Sequence, residues 1–290
     1  MEDRSAARSV HLDLDGAWPA QDANLPARLD ARKWGPQLRF CTSSSLIESF
    51  AEDIRNELRE FILYGAGDFH HLTALWLRRY SEPLTLVSFD NHPDWDLRPP
   101  RWACGGWINR ALDLDHVRKA VVWGCGNFEL NLPNRIFGNR AAVNSGRLEI
   151  FAWQERYGTG QSGVWNPISR SNWKERFDAF AEDVRGANVY VTVDLDCLSA
   201  GEALTHWENG LFTAGDVAWA VGRLRAAGNL VGGDLCGAWS EPSFARWTQK
   251  FASGFDHPKN RGVTLEKARE TNRRAYEAIW PVLTGAVEPV

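Results

Sequence analysis

Short apolar runs rich in β-branched residues alternate along the chain with longer stretches of helical spacing. The apolar runs predict seven buried strands, at residues 10–15, 61–65, 84–90, 119–124, 147–152, 188–194 and 229–234. Helical spacing predicts helices at 45–60, 173–184 and 265–283, with Pro281 disturbing the last turn of the third. Thr213 starts a capping-box pattern and predicts a fourth helix. This alternation predicts an α/β fold of three αβα layers with a mostly parallel central sheet.

Two segments between these elements predict extended loops. Residues 126–145 and 158–171 are rich in proline, glycine and asparagine. The chain shows no internal repeat and no low-complexity linker. Its 290 residues are enough to form a hydrophobic core without stabilising disulfides or structural metals. We therefore expect a single domain over residues 1–290.

The amino-acid composition indicates which kind of partner the protein binds and in which cellular compartment it is expected. Apolar residues make up 44% and charged residues 24%, which are ordinary globular values. The net charge of −4 gives no basic surplus, so we expect a small-molecule substrate rather than a nucleic acid or a membrane. The five cysteines are scattered and never in C-x-x-C spacing, which is typical of reduced thiols. With no signal-peptide pattern and no long apolar run, a cytoplasmic protein is expected. The sequence is compatible with a homo-oligomer as well as with a monomer.

A first cluster of metal-type ligands follows the third predicted strand. It consists of Asp90, His92 and Asp94. Pro93 cannot donate to a sheet ladder, so the strand should end near Asp90. Alternate residues of an extended chain point the same way, and we expect these three side chains to converge.

Two further clusters follow other predicted strands. Asp194 and Asp196 come at the end of the sixth strand with the same alternate spacing. The segment 65–71, Gly-Ala-Gly-Asp-Phe-His-His, follows the second strand, and its glycines allow a sharp turn that presents His70 or His71. Because ligand sites lie beyond the carboxyl ends of parallel strands, the three clusters are expected at one edge of the sheet.

The number of carboxylates decides how many ions such a site would hold. Each cluster alone is more typical of a solvated turn or a packed core, but three at strand ends favour a metal site. Asp90, Asp94, Asp194 and Asp196 bring four negative charges. Two divalent ions balance them, whereas one ion leaves an excess charge that is costly to shield from water. Oxygen and imidazole ligands suit manganese, iron or zinc.

The same motifs resemble those of the ureohydrolase superfamily, which includes arginases, agmatinases and formiminoglutamases. Residues 90–94, Asp-Asn-His-Pro-Asp, are similar to the family's Asp-Ala-His-x-Asp motif. Residues 192–196 are similar to its Ser-x-Asp-x-Asp motif, with Thr192 in the serine position. Residues 65–71 match its Gly-Gly-Asp-His-Ser turn more loosely. The order of these motifs fits from about residue 8 to 284, so the resemblance implies an arginase-like fold.

The resemblance also implies a ligand set and a reaction. The two ions would be held by Asp90, His92, Asp94, Asp194, Asp196 and one of His70 and His71. Asp90 and Asp194 would bridge the ions, and of the two histidines we favour His71. A metal-bridging hydroxide would attack a guanidinium-type carbon and hydrolyse a C–N bond of a guanidino, amidino or related small amide substrate. Manganese is the expected ion, with zinc or iron as alternatives.

The residues that should contact substrate depart from the family pattern. Gly237 stands where the family has a glutamate that grips the guanidinium, and Glu241 is the nearest replacement. The histidine that arginases carry after the Asp-x-His-x-Asp motif has no counterpart in residues 97–109, which leaves His206 for proton transfer. The catalytic candidates are Asp94, His206 and Glu241, and the substrate-binding candidates are Cys104, Trp107, Trp207 and Glu241. These departures argue against arginine itself as the substrate.

Three other interpretations are compatible with parts of the sequence. A deacetylase-like amidohydrolase would use one zinc and the His70–His71 pair, but would leave Asp94 and Asp196 without a role. A dehalogenase-type phosphatase is suggested by Asp-Leu-Asp-Gly at residues 13–16, although Ala17 replaces the threonine that should follow. A non-catalytic descendant of the fold that binds metal or a small ligand would explain the missing glutamate and histidine.

Overall fold

The computed structural model describes residues 8–157, 165–258 and 262–287. Its main strands are β1 (Ser9–Asp13), β2 (Arg28–Asp30), β4 (Phe61–Leu63), β5 (Leu84–Phe89), β7 (Val117–Cys125), β8 (Leu148–Trp153), β9 (Asn166–Ile168), β10 (Asn188–Asp194) and β11 (Asn229–Cys236). Within the described residues these form one nine-stranded sheet in the order β2-β1-β4-β11-β10-β5-β7-β8-β9. Every neighbouring pair runs parallel. Two short strands, β3 (Cys41–Thr42) and β6 (Trp102–Ala103), form a separate antiparallel pair.

Helices connect the strands and cover both faces of the sheet. They are α1 (Gly35–Leu38), α2 (Ser44–Ile54), α3 (Thr73–Trp76), α4 (Trp107–Leu112), α5 (Arg140–Asn144), α6 (Gln154–Tyr157), α7 (Trp173–Asp183), α8 (Ala214–Ala227), α9 (Trp247–Asp256) and α10 (Leu265–Thr284). Thr213 closes the predicted capping box with Asp216 at the start of α8. No helix in the described part of the chain is both long enough and apolar enough to cross a membrane.

The core consists of two layers, one on each face of the sheet. In β5, Val87 and Phe89 pack with α7, α8 and α10, whereas Leu84 and Leu86 pack on the other face with α2 and α4. Side chains of successive strand residues point to opposite faces, so an almost wholly apolar strand can fill both layers. This arrangement confirms the predicted three-layer fold with a mostly parallel sheet.

Most predicted elements are present, with corrections at their ends. The seven predicted strands exist, but the edge strands β2 and β9 were missed because each is short and only partly buried, unlike the equally short but fully buried β4. The helix predicted at 45–60 ends at Ile54, and α10 continues through Pro281 to Thr284 instead of being disturbed there. The segment 126–145 is not one extended loop, because short 3-10 turns and α5 lie within it. Of the segment 158–171, residues 158–164 lie outside the described residues, and β9 lies in the remainder.

Candidate metal centre

Asp90 and Asp194 lie side by side at the carboxyl ends of two central strands. Asp90 follows β5 directly and Asp194 ends β10, and the register of these neighbouring strands pairs Phe89 with Val193. Both aspartates are almost completely buried. Burying an ionised carboxylate costs several kcal/mol unless a cation or a proton compensates it. The two aspartates at this edge of the sheet therefore need either cations or protons.

Tight turns bring the neighbouring ligands to the same edge. A carboxylate oxygen of Asp90 accepts a hydrogen bond from the backbone N–H of His92 at 2.7 Å. Asp194 accepts one from the N–H of Asp196 at 3.0 Å, and Asp94 has a left-handed φ of 44°. The expected convergence is present, but its expected cause, alternation along an extended chain, was wrong. The side chain of the first aspartate closes each turn instead.

His70, rather than His71, is the histidine that faces the carboxylates. The Nδ1 atom of His70 lies 3.0 Å from Asp90, 3.4 Å from Asp94 and 3.5 Å from Asp194. His71 is fully buried away from this cluster, and neither of its ring nitrogens has a hydrogen-bond partner among the described residues. Both histidines lie in one 3-10 turn, Gly67–Leu72, in which successive side chains point about 120° apart because there are three residues per turn. Only one of them can face the cluster, and the structure places His70 there, against the preference for His71.

The donor atoms form two groups that share Asp90. One group is His70, Asp90 and Asp94, and the other is Asp90, His92 and Asp196; within each, the ligand atoms lie within 4.8 Å of one another. In the second group the Nδ1 atom of His92 is 2.8 Å from Asp196. The buried Nδ1 atom of His70 makes no hydrogen bond of regular geometry, although carboxylates surround it. A cation between these atoms would satisfy them, so the donor set fits a pair of divalent ions.

The electrostatics of the cluster point the same way. Burial raises the pKa of Asp94 and of Asp196 to about 7, and the negative charge of Asp90 adds to the effect. Burial also raises the pKa of Asp194 well above its usual range. For Asp90, burial is outweighed by the adjacent imidazoles of His70 and His92, which hold its pKa below the usual range. Without cations, several of these carboxyls must therefore keep protons near neutral pH.

A buried chain of hydrogen bonds orients His70 from behind. Its Nε2 atom lies 2.9 Å from the hydroxyl of Thr192, which donates to Asp234 at 2.5 Å. Tyr190 and Thr73 also donate to Asp234. Partners of this kind fix the ring orientation of a metal-binding histidine. The sequence had placed Thr192 at a motif position, but its contacts with His70 and Asp234 depend on β4, β10 and β11 lying side by side in the sheet.

The aromatic and cysteine residues predicted to bind substrate divide into those that line a cavity and one that does not. A cavity of about 370 Å³ lies over the cluster and adjoins a space of about 20 Å³ between the candidate ligands; Cys104 and Trp207 line both. Trp107 lines neither, because its indole N–H donates to Asp94 at 2.5 Å and its ring packs on His70. Trp107 therefore supports the ligands, and its predicted substrate contact is corrected.

Two glutamates that sequence reasoning missed lie beside the ligands. Glu129, in the 3-10 turn after β7, lines both the cavity and the inner space, and burial raises its pKa to about 8. A carboxylate oxygen of Glu208 lies 3.4 Å from the Nε2 atom of His92. No pattern in the sequence marked Glu129, because its position depends on how the segment after β7 folds over the site.

Glu241 and His206 do not reach the cavity. Glu241 is exposed and lines neither space. The Nε2 atom of His206 lies 2.7 Å from the carbonyl oxygen of Ser240, and burial lowers its pKa to about 4. Both were proposed for catalysis from the sequence, and both are corrected. At Gly237, where φ is +98°, an added Cβ would overlap with Asp194, so no glutamate fits there.

The Asp-Leu-Asp-Gly segment after β1 is engaged elsewhere. Asp13 is paired with Arg28, and Asp15 with Arg39 and Ser240. Neither aspartate lines the cavity over the metal-type ligands. A dehalogenase-type role for this segment is therefore not supported, and its charges hold together loops at the sheet edge.

Comparisons with known proteins agree with this architecture. No family model matches the chain. An uncharacterized protein of Thermotoga maritima is 27% identical over 174 residues, which cover 60% of this chain and 55% of that protein. The match thus spans little more than half the length of that relative.

Solved structures resemble the chain over nearly its whole length. A formimidoylglutamase from Bacillus subtilis has a TM-score of 0.54 at 12% identity, covering 96% of this chain and 85% of that one. An arginase from Bacillus cereus has a TM-score of 0.54 at 16% identity, covering 96% and 98%. A hypothetical agmatinase from Burkholderia thailandensis has a TM-score of 0.52 at 17% identity, covering 96% and 87%. The fold is arginase-like, which confirms at the level of fold the resemblance to the ureohydrolases.

Proposed function

We propose that this protein is a binuclear-metal hydrolase that cleaves a C–N bond of a small amidino, guanidino or related amide substrate. The observation that carries the proposal is the pair of buried donor groups that share Asp90 at the floor of an open cavity. His70 and Asp94 would hold one ion and His92 and Asp196 the other; Asp90 belongs to both donor groups, and Asp194 lies beside His70. A bound pair of divalent ions lowers the pKa of water and supplies a Lewis-acid centre.

The chain's own residues would bind and orient a cationic substrate. Glu129 and Asp256 line the cavity, and Glu208 lies beside His92. Three carboxylates around one cavity attract a cation, so they favour an amidinium or guanidinium group. Glu129, with a pKa of about 8, would give up its proton when a cation enters. Phe40 and Trp207 supply apolar walls that keep water from the bound group.

Turnover by the metal-loaded protein tests this proposal. We would load the protein with manganese or zinc and screen guanidino acids, guanidino amines, formimidoyl amino acids and simple amides for release of urea, formamide or ammonia. We expect turnover of at least one cationic class and its loss in Asp196→Asn. Asp178→Asn, which changes a surface carboxylate paired with Arg223, is the control and should keep full activity. Two bound ions with no turnover of any class would contradict the proposal.

A non-catalytic binding role is the second candidate, and Gly237 favours it. The left-handed backbone at Gly237 and its contact with Asp194 exclude the family's substrate-gripping glutamate from that position. Under this alternative the loaded protein would bind a guanidino ligand without hydrolysing it. Ligand binding measured by calorimetry together with product analysis distinguishes the two functions.

A further inference from the structure

Cys236 lies beside the candidate metal ligands His70 and Asp194, although the proposed function assigns it no role. It ends β11, directly opposite Asp194 in the register of β10 and β11. Its sulfur is fully buried and lies 3.5 Å from a carboxylate oxygen of Asp194. The ligand atoms of Cys236, Asp194 and His70 all lie within 4.8 Å of one another. These three side chains therefore form a third donor group beside the two already described.

A second observation at the same place points to a cation. The Nδ1 atom of His70 belongs to this donor group, is buried, and makes no hydrogen bond of regular geometry. Burial and the nearby charges of Asp194 and Asp234 raise the pKa of the Cys236 thiol well above its usual value, so the sulfur would lose its proton only to a cation bound beside it. Of the other four cysteines, which all lie in the described part of the chain, none belongs to a donor group of this kind.

We propose that Cys236 supplies its sulfur as a ligand to the ion on the His70 side. This inference rests on the proposed binuclear site and makes its two positions chemically unequal. The His70 side would have a soft thiolate among its ligands, whereas the His92 side would have only nitrogen and oxygen. Thiolates favour zinc, iron and cobalt over manganese, so the protein should prefer one of these at the His70 side.

Coordination by the sulfur releases one proton and leaves the site with one net negative charge. The thiol releases its proton to solvent, and the bond to the ion replaces the hydrogen bond that now runs to Asp194. The thiolate and the four aspartates would carry five negative charges against four on two divalent ions. The remaining negative charge lies at the floor of the cavity, where it would attract a cationic substrate.

Cobalt spectroscopy tests the inference directly on the whole chain. Co²⁺ bound by a thiolate shows a charge-transfer band in the near ultraviolet, separate from its visible bands. We expect metal-free protein titrated with Co²⁺ to bind two ions and to develop this band. In Cys236→Ser the band should vanish while the visible bands and two-ion binding remain. Zn²⁺ affinity in that variant should fall at least about tenfold, because even partners outside the ligand shell contribute that much.

Cys125→Ser is the matched control, because Cys125 is equally buried and also ends a strand of the sheet, β7, but belongs to no donor group. It should keep the band. Two bound Co²⁺ ions without the band in the wild-type protein would overturn the role of Cys236 and leave the proposed function standing. A band that survives in Cys236→Ser would also overturn it. Failure to bind Co²⁺, Zn²⁺ or Mn²⁺ at all would overturn the proposed function with it.

Discussion

Replacing Thr192 with valine removes the hydroxyl that joins His70 to Asp234 and leaves the shape of the side chain nearly unchanged. The hydroxyl lies 2.9 Å from the Nε2 atom of His70 and 2.5 Å from Asp234, in a fully buried position. Its loss frees the imidazole ring to rotate and leaves a ring nitrogen without a partner. Outer partners of metal-binding histidines contribute about 10- to 100-fold to metal affinity. Because this contact is short and buried, we expect the upper part of that range, or about 2 to 2.7 kcal/mol.

Thr73→Val is the matched control for Thr192→Val. Thr73 is equally buried and also donates to Asp234, at 3.1 Å, but it makes no hydrogen bond to His70. Each variant should lose about 1–3 kcal/mol of metal-free stability, because each removes a hydrogen bond to a carboxylate. Only Thr192→Val should lose metal affinity strongly, as measured by competition with a chromogenic chelator. Equal losses in the two variants, or a change below about threefold in Thr192→Val, would refute the orienting role of the hydroxyl.

Three further predictions follow from the site. Asp94 and Asp196, each with a pKa of about 7, bind protons more tightly in the folded state than in the unfolded chain. The stability of the metal-free protein should therefore fall as pH rises from about 4 to 7, and the affinity for metal should rise over the same range. Chemical unfolding and calorimetry at several pH values test this, and flat profiles would contradict it. Gly237→Ala should lower the free energy of unfolding by about 2 kcal/mol or more and weaken metal binding, because the added Cβ overlaps with Asp194. Gly146→Ala, also at positive φ but with open space around it, should lower it by only about 1 kcal/mol. Similar unfolding midpoints for the two variants would contradict the clash at Gly237. Glu129→Gln should raise KM for a cationic substrate at least about tenfold with a smaller change in kcat, and unchanged steady-state kinetics would exclude its contact with the substrate.

The sequence was sufficient for the layers of the fold because its strands are apolar on both faces. Runs such as 84–89 and 188–194 fill the core above and below the sheet, and that pattern is visible without coordinates. The strands β2 and β9 escaped prediction because three residues at a sheet edge carry almost no pattern. Helix α9 was missed as well, although Trp247, Phe251 and Phe255 recur at helical spacing; in the structure this apolar stripe is exposed.

The candidate site was predictable where one motif supplies adjacent ligands and unpredictable where distant segments meet. Asp90 and His92 lie two residues apart, and one turn sets both. The choice between His70 and His71 depends on the rotation of a 3-10 turn, which their identities do not reveal. Glu129 approaches the ligands only because the segment after β7 folds over them, and Glu241 fails to reach them although it lies four residues from Gly237.

The most direct test of the two-ion site is metal content combined with anomalous diffraction from crystals of the manganese- or zinc-loaded protein. The account predicts two ions per chain, about 3.5–4 Å apart. One should contact His70 and Asp94, the other His92 and Asp196, with Asp90 near both. A single ion held by one aspartate, one histidine and a second aspartate would instead support a deacetylase-like centre. No ion at these residues after loading would contradict the central claim.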